Sequence, residues 1–189
     1  MVYAPVRPDP SLPPLRVNLY SDTQTKPSPA MLEAMARAEV GDEQHGDDPT
    51  VHALCDRMAA LLGKQAAVFL PSGTMCNQIS LLVHCRPGDE VIAHESAHII
   101  GNEGGGPGAL AGALMLGLPG ARGQFDVPTL EAALRERRRN VPSQVLVAVE
   151  QTANFGGGSV WPLDKLTAVL DAAHANGMQT HMDGARLMN

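Results

Sequence analysis

The chain has 189 residues, enough to bury a sizeable core, and a formal charge of −6, which argues against nucleic acid or an anionic membrane as its main partner. Its one basic run, Arg135 to Arg139, is interrupted by Glu136. Aromatic residues make up only 3% of the chain, so its core must rest on Leu, Val, Ala and Met.

No segment has the length and apolarity of a membrane span. Cys55, Cys76 and Cys85 are odd in number and lack C-x-x-C spacing, which suits reduced, mostly buried thiols in a cytosolic protein. Residues 1–16 are proline-rich without a hydrophobic signal core and read as a flexible extension, and 17–189 read as one domain. In chain order, Pro29 to Ala38 should form a short helix, and Pro49 or Thr50 starts a second with Val51, Leu54, Met58 and Leu61 at helical spacing. Between them, residues 41–48 form a polar loop. Ala66 to Leu70 reads as a strand, Pro71 to Thr74 as a turn, and Met75 to His84 as a helix with Ile79 and Leu82 inward. Glu90 to Ala93 is a strand, and a glycine-rich passage from Gly101 to Gly108 leads to 112–118. Val127 to Arg138 reads as a helix. Val145 to Val149 is almost wholly apolar, as a strand covered on both faces must be. Pro162 opens a helix with Leu163, Leu166, Val169, Leu170 and Ala173 on one face, Gly177 closes it, and Met178 to Met182 forms a last strand ending at Asp183-Gly184. This alternation predicts an α/β fold of three layers, α/β/α, with a mostly parallel sheet.

Four spots could carry chemistry. Ser72-Gly73-Thr74, between a strand and a helix, offers free N–H groups to an anion, although Thr74 could equally be a helix cap. His94-Glu-Ser-Ala-His98 matches the zinc-protease pattern H-E-x-x-H, but it follows a strand closely and runs into glycines, where a helix is required. Glu150 to Gly158 places Glu150 and Asn154 at the carboxyl end of the most apolar strand, where ligands of open α/β sheets bind and where an ordinary turn needs the same residues. Asp183 and Arg186, after the last strand, are either an exposed turn with a local ion pair or a carboxylate and a guanidinium facing a ligand.

The order of these motifs decides among the readings. Asn18-Leu-Tyr-Ser-Asp-Thr23, Gly41-Asp-x-x-x-Gly46-Asp-Asp-Pro-Thr-Val51, Pro71-Ser-Gly-Thr74, Ala97-His98, Glu103-x-Gly-Gly106 and His181-Met-Asp-Gly-Ala-Arg186 resemble the threonine aldolases of the β-eliminating lyase group. The resemblance runs from about Val17 to the end of the chain. It implies the large domain of the aspartate aminotransferase fold and pyridoxal 5'-phosphate as cofactor. It also implies cleavage of a β-hydroxy-α-amino acid such as L-threonine to glycine and an aldehyde, by a cytoplasmic homodimer or homotetramer. On that resemblance, Gly73 and Thr74 grip the cofactor phosphate, His98 stacks on the pyridine ring, and Asp183 pairs with the ring nitrogen; the reaction also needs a base for the β-hydroxyl proton, for which His98 or a water held by it is the candidate. Ser21 and Arg186 hold the substrate carboxylate or the cofactor's phenolic oxygen, with Glu103, Glu150 and Asn154 behind them. No metal is expected.

Two positions depart from the family pattern. Ala153 stands where a histidine thought to contact substrate is usual, and His45 stands where tyrosine is usual. The lysine that binds the cofactor covalently in the family follows D-G-A-R, and Lys26, Lys64 and Lys165 match no such position, so the chain is expected to correspond to roughly the first half of such an enzyme and to be inactive alone. The alternatives are a non-catalytic fragment or pseudoenzyme of the same fold, and a zinc metallopeptidase using His94 and His98.

Overall fold

A computed structural model describes residues 9–14 and 16–188, so residues 1–8 and 15 of the expected N-terminal extension lie outside the described residues. The chain falls into two compact units that meet in sequence between Phe69 and Leu70.

The first unit contains two helices, α1 (Pro29–Arg37) and α2 (Pro49–Leu62), each opened by proline at its first position. The Ser28 hydroxyl accepts from Met31 N at 3.2 Å and caps α1. Asp48 caps α2 through Val51 N at 2.9 Å and also takes Gly41 N at 3.0 Å. These backbone donors hold the Asp48 carboxyl below its ordinary value. Gly63, at φ +62°, ends α2 in the left-handed conformation that a side chain would resist. Ala66 to Leu70, expected as a strand, is not one. It is absent from the sheet, and Val68 and Phe69 are exposed. An apolar run becomes a strand only when a neighbouring strand takes up its backbone N–H and C=O groups.

The second unit is the expected three-layer arrangement. Its elements are α3 (Gly73–His84), β1 (Glu90–His94), α4 (His98–Gly101), α5 (Gly106–Leu110), β2 (Leu114–Leu118), α6 (Val127–Ala133), β3 (Gln144–Glu150), α7 (Leu163–Ala175) and β4 (Gln179–Asp183). The four strands are parallel in the order β2-β1-β3-β4. Alternation along the central strands divides the core between two faces. Ile92, Val147 and Val149 pack with Leu130 of α6 and with Leu166, Val169 and Ala173 of α7. Val91, Ala93, Leu146 and Ala148 pack on the opposite face with Leu81 of α3 and Ile99 of α4. Two of the few aromatic residues, Phe125 and Trp161, meet edge to face at 5.4 Å in the first cluster and add large anchors to the aliphatic core. Gly177, at φ +73°, lets the chain turn from α7 straight into β4.

Several expectations are corrected. Helix α3 begins at Gly73, and its cap is Ser72, whose hydroxyl accepts from Met75 N, rather than Thr74. Its buried residues are Asn77, Gln78 and Leu81, while Ile79 and Leu82 face outward. Leu163 of α7 is also exposed. Helix α6 stops at Ala133 because the next residues find partners elsewhere: Arg135 N donates to Gln144 Oε1 at 3.0 Å, and the Arg135 guanidinium pairs with buried Glu90. The thiols are less buried than expected, with Cys76 exposed and Cys55 and Cys85 half-buried. Among the described residues, no helix is long and apolar enough to cross a membrane.

Candidate active site

The register of β3 and β4 sets Glu150 beside Asp183 at the carboxyl ends of both strands, where a parallel sheet presents its ligand-facing residues. Each carboxylate organises a different piece of backbone. Glu150, buried, accepts from His98 N at 2.8 Å and from Asn154 N at 2.7 Å. It thus supplies the cap that Ala97 cannot give to α4, and it fixes where His98 enters the site. Asp183, half-buried, accepts from Ala185 N at 3.1 Å and from Asn77 Nδ2 at 2.9 Å.

Glu103 joins these pieces. Its side chain is wholly buried, and three donors converge on it: Asn77 Nδ2 at 2.7 Å, Gln78 Nε2 at 2.5 Å and His98 Nδ1 at 3.0 Å. A carboxylate can only accept, so Nδ1 of His98 carries a hydrogen, and Nε2 is the ring nitrogen that Glu103 does not engage. The His98 side chain is 37% exposed, so part of the ring is open to a ligand. Gly106 makes this packing feasible, since a Cβ there would lie 2.6 Å from the Gln78 carboxamide. His98, Glu103 and Asp183 all bring ligand atoms within 4.8 Å of one another. By composition such a trio could hold a cation, but Glu103 is already taken by three donors and offers one little.

Gly73 and Thr74 are exposed in the first turn of α3, where helix geometry leaves backbone N–H groups without intrahelical acceptors. A Cβ at Gly73 would meet nothing within 4 Å, so the approach to this helix start is open. Asn77 lies one helical turn further, about 6 Å along the axis. Arg186 follows in the turn after β4 and is half-buried. Asn154 contributes its backbone N–H, while its side chain is exposed. Ala153, at the departure from the family pattern, is buried and pairs with Ser159. Ser21 belongs to the first unit, where its hydroxyl bonds Thr23 Oγ1 at 2.8 Å and caps a 3-10 turn at Asp22–Gln24.

The zinc-protease arrangement does not form. His94 ends β1 and His98 opens α4, so the two imidazoles share no helix face. Both ring nitrogens of His94 are already engaged, Nδ1 with Ser96 Oγ at 2.9 Å and Nε2 with the Gly120 carbonyl at 3.0 Å.

The sequence model of the beta-eliminating lyases matches residues 18–189. The chain belongs to the beta-eliminating lyase family. It is 41% identical over 177 residues to low-specificity L-threonine aldolase 1 of Arabidopsis thaliana, covering 92% of this chain and 49% of that protein. To the low specificity L-threonine aldolase of Escherichia coli K12 it is 39% identical over 175 residues, with 92% and 51% covered. A solved threonine aldolase of Leishmania major superposes with a TM-score of 0.76 at 26% identity, over 87% of this chain and 48% of that one. The chain thus spans about half the length of the curated relatives it matches.

Among the residues gathered around Asp183 and Glu103, reasoning from sequence missed Asn77, Gln78, Ser80 and His181. His181 Nε2 lies 2.8 Å from Asn77 Oδ1, and its Nδ1 lies 3.0 Å from Ser80 Oγ. Burial pushes the His181 imidazole below its ordinary value, the nearby Asp183 charge opposing. The available signal was the polar pair Asn77-Gln78 one turn into a helix that starts beside a strand end.

Proposed function

We propose that the protein is a pyridoxal-phosphate-dependent lyase of threonine aldolase type, cleaving L-threonine or a related β-hydroxy-α-amino acid to glycine and an aldehyde. The observation that carries this reading is the Asp183 carboxylate at the end of β4, held by Asn77 one turn into α3, whose start is open, with His98 beside the carboxylate. These residues suit the cofactor chemically: an acceptor for a ring N–H at one end, unpaired backbone donors for a phosphate at the other, and an imidazole between. When bound, pyridoxal phosphate supplies an electron sink for the bond that breaks at the substrate's Cα.

The chain's own residues have separable tasks in this reading. Gly73 and Thr74 bind the phosphate through backbone N–H groups and the helix N-terminus. Asp183 would accept a hydrogen bond from the ring N–H and, as a charged carboxylate, keep the proton on the ring nitrogen. His98 packs on the ring, and its Nε2 takes the β-hydroxyl proton as the aldehyde leaves, with Glu103 fixing the tautomer that makes this nitrogen the base. Glu150 sets the height of His98 through its backbone, linked to the 150–154 turn. Arg186 holds the substrate carboxylate or the cofactor's phenolic oxygen. We further propose that the protein acts in the cytoplasm as a homodimer or homotetramer, which light scattering of the full chain would test.

The test is an assay of the full chain for glycine and aldehyde formation from L-threonine. Asp183→Asn should lower turnover by on the order of 10²–10³-fold or more while the fold is kept. Gly73→Val should weaken retention of pyridoxal phosphate, because a β-branched side chain would stand at the anion's approach. Near-normal turnover in Asp183→Asn, or unchanged retention of pyridoxal phosphate in Gly73→Val, would refute the reading.

A further inference from the structure

The carboxylates fix the direction of the polar network behind Asp183 from His181 onward. Asn77 Nδ2 lies 2.7 Å from Glu103 Oε1 and 2.9 Å from Asp183 Oδ2, so both amide hydrogens go to carboxylate oxygens. The Asn77 oxygen must then accept, and its neighbour at 2.8 Å is His181 Nε2, which therefore carries a hydrogen. With Nε2 protonated on a neutral ring, Nδ1 is an acceptor and takes the Ser80 hydroxyl at 3.0 Å. The chain of donation runs from Ser80 to His181 to Asn77 and ends on two carboxylates. Reversing the Asn77 amide would set its oxygen against both carboxylates and its NH₂ against His181.

We propose that Asn77, oriented by His181 and Ser80, is a positioning residue that keeps Asp183 as a charged acceptor for the cofactor's ring nitrogen. The proposal rests on the pyridoxal-phosphate reading above. Asn77 and His181 touch neither the phosphate end nor the reacting carbons in that reading; they act through Asp183. A donor aimed at a carboxylate stabilises its charged form, and a carboxylate that stays charged leaves the shared proton on the ring nitrogen. The bridge to Glu103 couples this to His98, because the same oxygen, Glu103 Oε1, accepts from both Asn77 and His98. One amide thus ties the acceptor of the ring proton to the group that orients the base. The surroundings favour a neutral His181. Burial lowers its proton affinity, His84 of α3 acts in the same direction, and the charges of Asp183 on its own strand and Glu103 oppose. A neutral ring is the form in which Nδ1 can accept from Ser80.

The experiment uses the full chain loaded with pyridoxal phosphate labelled with ¹⁵N in the ring, read at one mildly basic pH. The probe is the ¹⁵N chemical shift, which reports whether the ring nitrogen carries the proton. Wild type should show the protonated shift. In Asn77→Ala and His181→Leu the signal should move toward the unprotonated position, and kcat should fall roughly 10–100-fold, the usual cost of losing a group that orients a site residue. His181→Gln, whose amide can still donate to Asn77, should restore both shift and rate. His181→Leu keeps apolar volume on a half-buried strand position and guards against simple unfolding of the Asn77 variant. If His181→Leu and Asn77→Ala lower only thermal stability and leave the ¹⁵N shift of bound cofactor unmoved, the two residues are structural and the proposal is wrong. A wild-type full chain that fails to bind the cofactor would instead overturn the functional reading on which the proposal stands.

Discussion

Replacing Glu103 separates the role of its shape from that of its charge. In Glu103→Ala, Gln78 loses the only partner of its Nε2, and its Oε1 already has none, so the whole buried carboxamide is left unsatisfied. Asn77 loses one of two donor bonds but keeps Asp183, and His98 Nδ1, partly exposed, can turn to water. An unsatisfied buried polar group costs about 1–3 kcal/mol, and the weakened Asn77 and the space left behind add to it, so the total should be roughly 3 kcal/mol. Glu103→Gln should behave differently. Its oxygen can serve Asn77 and His98 as Oε1 does now, and its new NH₂ would face Gln78, whose carboxamide can turn over to present its unpartnered oxygen. What remains lost is the charge assistance, about 1 kcal/mol. Alanine and glutamine should therefore differ by about 2 kcal/mol, or some 30-fold in the folding constant. Urea unfolding of the full-length variants, at unchanged denaturant slope, measures this. Two results would refute the accounting: an alanine variant within about 0.5 kcal/mol of wild type, or a glutamine variant as unstable as the alanine one.

Gly106→Ala should reach the same network from outside, because its methyl would overlap the Gln78 carboxamide; a loss of about 1–3 kcal/mol is expected, and a neutral result would mean that Gln78 can move freely. Ser72→Ala removes the cap of α3 and should cost about 1 kcal/mol in the same urea experiment. His181 gives an acid-side signature. Its proton affinity is lowered in the folded state, chiefly by burial, so below about pH 6.5 the unfolded chain binds the proton more readily. The His181 contribution is thus fully present above that pH and is lost as pH falls through the folded value. His181→Gln should flatten that part of the stability profile, and a variant with the wild-type acid limb would show that His181 does not drive it.

What could be read from the residues and what could not differ by a physical rule. Strand β3 was legible because a strand covered on both faces must be apolar throughout, and Val145 to Val149 is; its core faces alternate as period two requires. Helix α7 was legible from its apolar spacing together with Pro162 and Gly177, and β4 from the glycine before it and the D-G-A-R after it. In each case the signal is local. Ala66 to Leu70 looked equally strand-like and is not a strand, because pairing depends on a neighbour that the local residues do not specify. The inward face of α3 failed for a related reason. Spacing assigns apolar side chains to the core, so it turns Ile79 and Leu82 inward and says nothing of Asn77 and Gln78. A buried amide is tolerated when acceptors meet it, and the acceptors of Asn77 come from 26 and 106 residues further along the chain. The same contrast divides the site. Gly73, Thr74, His98 and Asp183, assigned to the ligand, stand in short motifs at element ends, where the backbone itself constrains residue type. Asn77, Gln78, Ser80 and His181, which hold those groups, are ordinary polar residues whose role exists only once β4 lies against α3. Residues that orient a site are therefore best sought by asking which buried amides and imidazoles have a hydrogen-bond direction dictated by the carboxylates they serve.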